Sequence, residues 1–406
     1  MLSFTMPNGI RVIHIPSKSL VAHCALYIKA GSRDELESEQ GMAHFVEHML
    51  FKGTKNRKPY HILSRLDSVG GEINAFTSKE ETCIYASFLA PYYGRAINLI
   101  FDIAFCSTFP EKELEREKAV ILEEIESYKD SPSEQIFDDF EDLIFAGHPI
   151  GRNILGTPKS LENFKREHII DFTQRTYLPQ EMVFISTGPI KESNFRKLVE
   201  KNVPTGNVEL NNNKRKTPTS YSPGKLILQQ QTHQTHMITG NRSYSMTDEN
   251  NLGFSLLNNL LGGPGLNNRL NLNIREKYGF TYHVESFYNA YSDTGIFGVY
   301  LGTDYRHIDK SMRLIHKELG KLREQKLGSL QLHRAKKQYI GQMLLQQDNQ
   351  LNHLLGLGKV MLYQEAPEKF KEIEKRLDAL NASELMEMAN NIFDIEQMST
   401  IIYASE

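Results

Sequence analysis

The chain opens on alternation. GIRVIHIP (9–16) and VAHCALYIKA (21–30) are apolar, β-branched runs on either side of a short polar break, and Pro7-Asn8-Gly9 ahead of them is a tight-turn signature. Both features predict paired strands from the start of the chain. The period then lengthens, and a helix is predicted from about Asp34 to Phe51, stopped by Gly53, with another over HILSRLDSVGG. EINAFT and ETCIYASFL return as a strand pair, helical patterns fill roughly 91–145 and 160–176, and MVFIST reads as strand again.

Between about 203 and 225 the stretch VPTGNVELNNNKRKTPTSYSPG loses its apolar period and gathers Pro, Gly, Asn and Thr. That is linker composition, and it sets domains at 1–205 and 226–406 with a linker over 206–225. Lys214-Arg215-Lys216 within it reads as a solvated charge run rather than a nucleic-acid patch. After the linker the order of elements repeats: strands KLILQQ and THMITG, a helix from about Glu249 to Leu261, a helix ending at Gly279, strands TYHVESFYNAY and GIFGVYLGT, then helices. The register that sets Gly253 on Gly41 also sets IFGVYL (296–301) on IYASFL (84–89), so the chain reads as a duplication. The expected fold class is α+β, with two similar domains, each a mainly antiparallel sheet with helices packed on one face.

Composition narrows the function. A formal charge of −3 over 406 residues gives no electrostatic footprint for nucleic acid or an anionic membrane surface. Three cysteines (Cys24, Cys83, Cys106), all in apolar stretches, do not make a disulfide framework. The first residues carry no basic region followed by an apolar core, and no run of about 18 apolar residues occurs. The expectation is a cytoplasmic protein with no membrane partner.

The chemistry concentrates in HFVEH, residues 44–48. On a helix His44 and His48 are i and i+4, one turn apart on one face, with Glu47 beside them. Two neutral imidazoles in that arrangement suit Zn²⁺, and the glutamate is placed to act on water as general base; H-x-x-E-H is the inverted zincin order. The plain alternative is an amphipathic helix that happens to carry two histidines. A catalytic zinc asks for a third protein ligand, and the acid-rich helical pattern EKELEREKAVILEEIESYKDSP supplies candidates. Glu117, Ile121, Glu124 and Tyr128 form one stripe, so pattern prefers Glu124 or Glu117 over their neighbours. In the duplicated register His44, Glu47 and His48 fall opposite Leu256, Asn259 and Leu260, so the second half lacks the motif. His233 and His236, on a strand pattern, read as structural.

GSRDELESEQGMAHFVEHMLFKGT closely resembles the active-site segment of the pitrilysin/insulinase superfamily of zinc metallopeptidases, in its short-chain branch related to the mitochondrial processing peptidases. TMPNGIRVIHIP, GGEINAFTSKEET, EREKAVILEEI, HPIGRNILGT and IREKYGFTY match as well, so the resemblance spans most of the chain. It implies that Glu124, 76 positions after His48, is the third ligand of one Zn²⁺ per chain, and that Glu117 supports the site from behind. It also implies that Asn74 and Ala75 lie on an edge strand that pairs with the substrate backbone. Arg275 and Tyr282 would hold substrate carbonyls and the developing oxyanion. GGPG (262–265) is similar to the family's glycine-rich loop, although LGGPGLNNRL departs from the usual longer glycine and serine pattern.

The resulting expectation is a metalloendopeptidase acting on peptides or short unfolded polypeptides inside a closed dimeric chamber. Because the chain carries both the zinc motif and the Arg/Tyr pair, a homodimer is expected, with a related second subunit as the other arrangement. The rivals are a non-catalytic scaffold or partner subunit, and a zinc hydrolase of non-peptide esters or amides.

Overall fold

The computed structural model describes residues 1–205 and 215–405. The first nine residues of the expected linker, 206–214, and with them Lys214, lie outside the described residues. In chain order β1 (Leu2–Thr5), β2 (Arg11–Pro16) and β3 (Val21–Ile28) precede α1 (Met42–Leu50) and α2 (Pro59–Asp67), and β4 (Glu72–Thr77) and β5 (Thr82–Leu89) follow. α3 (Tyr93–Phe105), α4 (Glu111–Lys129), α5 (Pro132–Ile144), α6 (Pro158–Glu162) and α7 (Arg166–Thr176) lead to β6 (Met182–Gly188) and α8 (Glu192–Asn202). Next come β7 (Lys225–Gln230), β8 (Thr235–Ser243), α9 (Asn251–Gly262), a π-helical turn (Asn271–Glu276), β9 (Thr281–Ala290) and β10 (Gly295–Thr303). α10 (Ile308–Glu324), α11 (Ser329–Asp348), α12 (Gln350–Tyr363), α13 (Phe370–Ala379), α14 (Ala382–Ile392) and β11 (Ser399–Ser405) complete the fold.

The strands form two sheets, in the orders β1-β2-β6-β3-β5-β4 and β7-β11-β8-β10-β9. The second order repeats the first without β1. In both, the β2-β6 or β7-β11 pair is parallel and every other adjacent pair is antiparallel. The chain is therefore two similar domains of mixed helix and sheet. Two elements differ from the expectation. The helix predicted from Asp34 begins only at Met42, because Gly41 takes a left-handed φ of 91° and short 3₁₀ turns occupy the stretch before it. STIIYAS at the chain end, expected to follow on from helices, is the buried strand β11; so short an apolar run carries no period that separates strand from helix.

The compact units are not the contiguous spans 1–205 and 226–406. One comprises Met1–Glu126, Arg152–Arg215 and Leu345–Pro367; the other comprises Ser127–Gly151, Lys216–Leu344 and Glu368–Glu406. In the first unit one sheet face presents Val12, Leu26, Ile84 and Phe184 to a large core that includes Phe45 of α1, Ile97 of α3 and Phe195 of α8. The other face presents Ile13, Tyr27 and Ile185 to Leu354 and Met361 of α12. Tyr27 donates to the Leu355 carbonyl at 2.8 Å. In the second unit Phe297 and Val299 face Phe254 of α9 and Leu319 of α10. Ile238, Tyr300 and Tyr403 face Ile136 and Phe140 of α5.

Most helices thus lie on one face of each sheet, and among the described residues a single helix covers the other. That covering helix comes from the opposite half of the sequence in both units. Each fully buried Leu, Ile, Met or Phe on it contributes about 1.5–3 kcal/mol of burial.

Candidate metal centre

α1 owes its orientation to its two faces. Met42, Phe45, Val46, Met49 and Leu50 are buried in the core, which turns His44, Glu47 and His48 to the opposite side. Gly41 offers no side-chain cap, and the carboxylate of Glu35 serves instead: Gly41 N–H donates to it at 3.0 Å and Ala43 N–H at 2.8 Å. A carboxylate here satisfies two otherwise orphan donors and complements the positive end of the helix. Burial pushes the Glu35 carboxyl well above the usual range, and the two backbone donors oppose that shift.

The imidazoles of His44 and His48 lie with ring centroids 4.6 Å apart at an interplanar angle of 66°. Their Nε2 atoms stand 3.8 and 3.6 Å from Glu124 Oε2, which α4 brings alongside. The donor atoms of these three residues all lie within 4.8 Å of one another, the one such group of three or more potential ligands among the described residues. Behind them, His48 Nδ1 is 3.1 Å from Glu117 Oε2, and Lys52 Nζ is 2.7 Å from Glu117 Oε1. An ionised carboxylate only accepts, so Nδ1 carries the proton and the Nε2 lone pair faces Glu124.

Burial, with His48 alongside, lowers the pKa of His44 to about 3. The imidazole is therefore neutral and in its ligating form at ordinary pH. Burial raises the pKa of Glu47; contact with Thr77 of β4 and the nearby His48 counter it, and Glu124 adds to it. Two imidazoles and a carboxylate, converging closely enough for one ion, are a zinc-class donor set that leaves a fourth tetrahedral position open.

The first unit thus brings together His44, Glu47, His48, Glu117 and Glu124, all named from the sequence. Asn74 and Ala75 sit on β4, at the end of the strand order, and Ala75 N–H donates to Asn74 Oδ1 at 2.8 Å. Arg275 and Tyr282 belong to the second unit. Arg275 lies on the π-helical turn, 3.3 Å from Asn271 Oδ1, and Tyr282 on β9 is 85% exposed. The GGPG loop is tied down by Asn268, whose amide donates to the Gly263 and Gly265 carbonyls at 2.7 and 2.9 Å. His236 is buried with its Nδ1 2.8 Å from the Tyr300 hydroxyl, and His233 precedes β8 rather than lying on the strand expected for both.

Sequence reasoning missed Lys52, which lies just beyond the C-terminal end of α1, and Glu35, for which no local pattern speaks. The solvated reading of Lys214-Arg215-Lys216 fails at Arg215. Its side chain is only 12% exposed and makes a two-pronged ion pair with Asp34.

Residues 11–158 match the family model described as insulinase (peptidase family M16), and residues 163–339 match that described as the peptidase M16 inactive domain. An uncharacterized zinc protease, YmxG of Bacillus subtilis, is 31% identical over 404 residues, covering 99% of this chain and 98% of the relative. The chain belongs to peptidase family M16. An uncharacterized zinc protease of Rickettsia bellii is 30% identical over 402 residues, covering 98% of this chain and 96% of its own length.

Solved M16-like structures share the fold. A protease from Helicobacter pylori superposes with a TM-score of 0.90 at 21% identity, covering 99% of both chains. A peptidase M16 inactive domain from Pseudomonas fluorescens gives 0.91 at 19% identity, covering 100% of this chain and 98% of that one. Within the M16 frame the inactive-domain match begins at residue 163, beyond the whole of the His44–His48–Glu124 cluster. No helix among the described residues is long and apolar enough to cross a membrane.

Proposed function

We propose that this M16 chain is a zinc-dependent metalloendopeptidase that hydrolyses peptides or short unfolded polypeptides, with one zinc per chain held by His44, His48 and Glu124. The observation that carries the reading is the convergence of those three donor groups with Glu47 adjacent on the same helix. A zinc ion supplies, when bound, a Lewis acid that polarises the scissile carbonyl and acidifies water. Glu47 accepts the proton of the attacking water and returns it to the leaving amine. Glu117 keeps His48 in the tautomer that presents Nε2. Asn74 and Ala75 on the edge strand β4 align an extended substrate backbone as an added strand.

Arg275 and Tyr282 bind the substrate carbonyl region and the developing oxyanion, and they serve the zinc site of a second copy in a homodimer. Two inactive variants, Glu47→Gln and Arg275→Ala, when mixed, then regain part of the activity; mixed dimers that stay inactive contradict the composite arrangement. The test of the whole reading is metal analysis of the purified protein together with cleavage of a quenched fluorescent peptide. A metal-free, inactive wild type contradicts it and favours a non-catalytic scaffold.

A further inference from the structure

The charge run read from sequence as solvated contains a buried clamp. The Arg215 guanidinium meets Asp34 with both prongs, Nε at 2.9 Å from Oδ1 and Nη2 at 2.8 Å from Oδ2. Nη2 also donates to the Glu80 carbonyl at 2.6 Å, and Nη1 stands 3.2 Å from both Glu80 Oε1 and the Tyr363 hydroxyl. Glu80 Oε1 takes a second arginine, Arg33 Nη1, at 2.6 Å. Asp34 in turn accepts from Gly31 N–H at 2.9 Å. The turn from Gly31 to Asp34 is thereby held from both its backbone and its side chains.

The next residue is Glu35, 4% exposed, whose carboxylate takes the N–H groups of Gly41 and Ala43 at the start of α1. α1 spans only nine residues and has no cap of its own, so the turn carrying Glu35 sets where its first turn begins. His44 follows Ala43 directly. A bidentate Arg–carboxylate pair fixes orientation as well as distance, which a lysine at the same place does not. We infer that Arg215 is a positioning residue for the metal helix, acting through the Asp34–Glu35 turn on the placement of His44, Glu47 and His48. This inference rests on the reading of α1 as the metal-binding helix.

The test compares Arg215→Ala, Arg215→Lys and Arg11→Ala in the full chain. Arg11 donates to the Gln364 and Leu362 carbonyls in the same unit, so its loss controls for a general loosening of that unit. Amide hydrogen exchange reads the clamp with or without metal: residues 43–46 exchange about tenfold faster in Arg215→Ala and unchanged in Arg11→Ala. Zinc affinity, measured by competition with a chromogenic chelator, falls about ten- to a hundredfold in Arg215→Ala. It is partly restored in Arg215→Lys and unmoved in Arg11→Ala. In a peptide assay kcat falls with KM little changed.

Wild-type exchange across the first turn of α1 in folded Arg215→Ala overturns the inference. Where that variant does not fold, wild-type exchange and zinc affinity in Arg215→Lys and Asp34→Asn overturn it equally. A wild type that binds no zinc contradicts the proposed function alone, because the exchange comparison still decides whether Arg215 positions the helix.

Discussion

α1 and α9 follow the same strand of their respective sheets, yet one presents a cluster of potential metal ligands and the other packs shut. His44, Glu47 and His48 on α1 stand where α9 has Leu256, Asn259 and Leu260. Leu256 is buried and Leu260 packs against the same apolar core. The scaffold therefore tolerates either outcome, and the choice rests on a few side chains of one helix and one acid on another. Equivalent position does not mean equivalent energetics: the apolar residues of α9 pack into the core of their unit, and the polar residues of α1 form the cluster of potential metal ligands.

The largest effects fall on that contrast. His44→Ala is expected to abolish tight zinc binding and peptide cleavage while the metal-free protein unfolds at close to the wild-type denaturant midpoint. Leu256→Ala at the matching position is expected to cost about 2–5 kcal/mol in denaturant unfolding and to leave the zinc stoichiometry unchanged. Metal analysis and urea titration of both variants check the pair. Glu117→Gln comes next: it weakens the acceptor at His48 Nδ1, and zinc affinity should drop about ten- to a hundredfold by chelator competition.

The exchanged helices give a smaller effect. In α12 a Cβ added at Gly358 would lie 2.4 Å from the Tyr27 ring, whereas at Gly356 it meets nothing within 4 Å. Gly358→Ala should therefore destabilise by about 1–3 kcal/mol. Gly356→Ala should stabilise by about 0.5–1 kcal/mol, both read from denaturant midpoints.

The smallest effect separates a histidine packed in the core from those of the candidate metal cluster. His14 stacks on Phe195 with ring centroids 4.6 Å apart, and burial lowers its pKa. Its folded pKa lies below the unfolded value of about 6.5, so below that pH the unfolded chain takes up a proton that the folded chain resists. Stability is lost as pH falls through this window. His14→Phe should flatten that acid limb in pH-dependent unfolding and leave zinc affinity unchanged.

Much of this was legible in the sequence, because strands and amphipathic helices write their period locally. The duplicated order of strands, HFVEH on a helix, and the Glu117–Glu124 stripe all follow from spacing alone, and resemblance chose Glu124 as the ligand. What escaped was non-local. The Arg215–Asp34 pair joins residues 181 positions apart, and no hydrophobic period marks such a partner. The exchange of α5 and α12 escaped for the same reason: each helix shows a normal apolar face but does not say which sheet it covers. Glu35 was passed over because its capping of α1 depends on the left-handed Gly41, and a glycine in sequence does not announce its φ.

The central claim is that the His44–His48–Glu124 cluster holds zinc and that Glu47 does the proton transfer beside it. The most direct measurement is zinc content and peptide hydrolysis on wild type and Glu47→Gln in parallel. The account predicts one zinc per chain in both proteins, with hydrolysis in the wild type and a loss of about a hundredfold or more in Glu47→Gln. A wild type without zinc, or a Glu47→Gln variant as active as wild type, would contradict it.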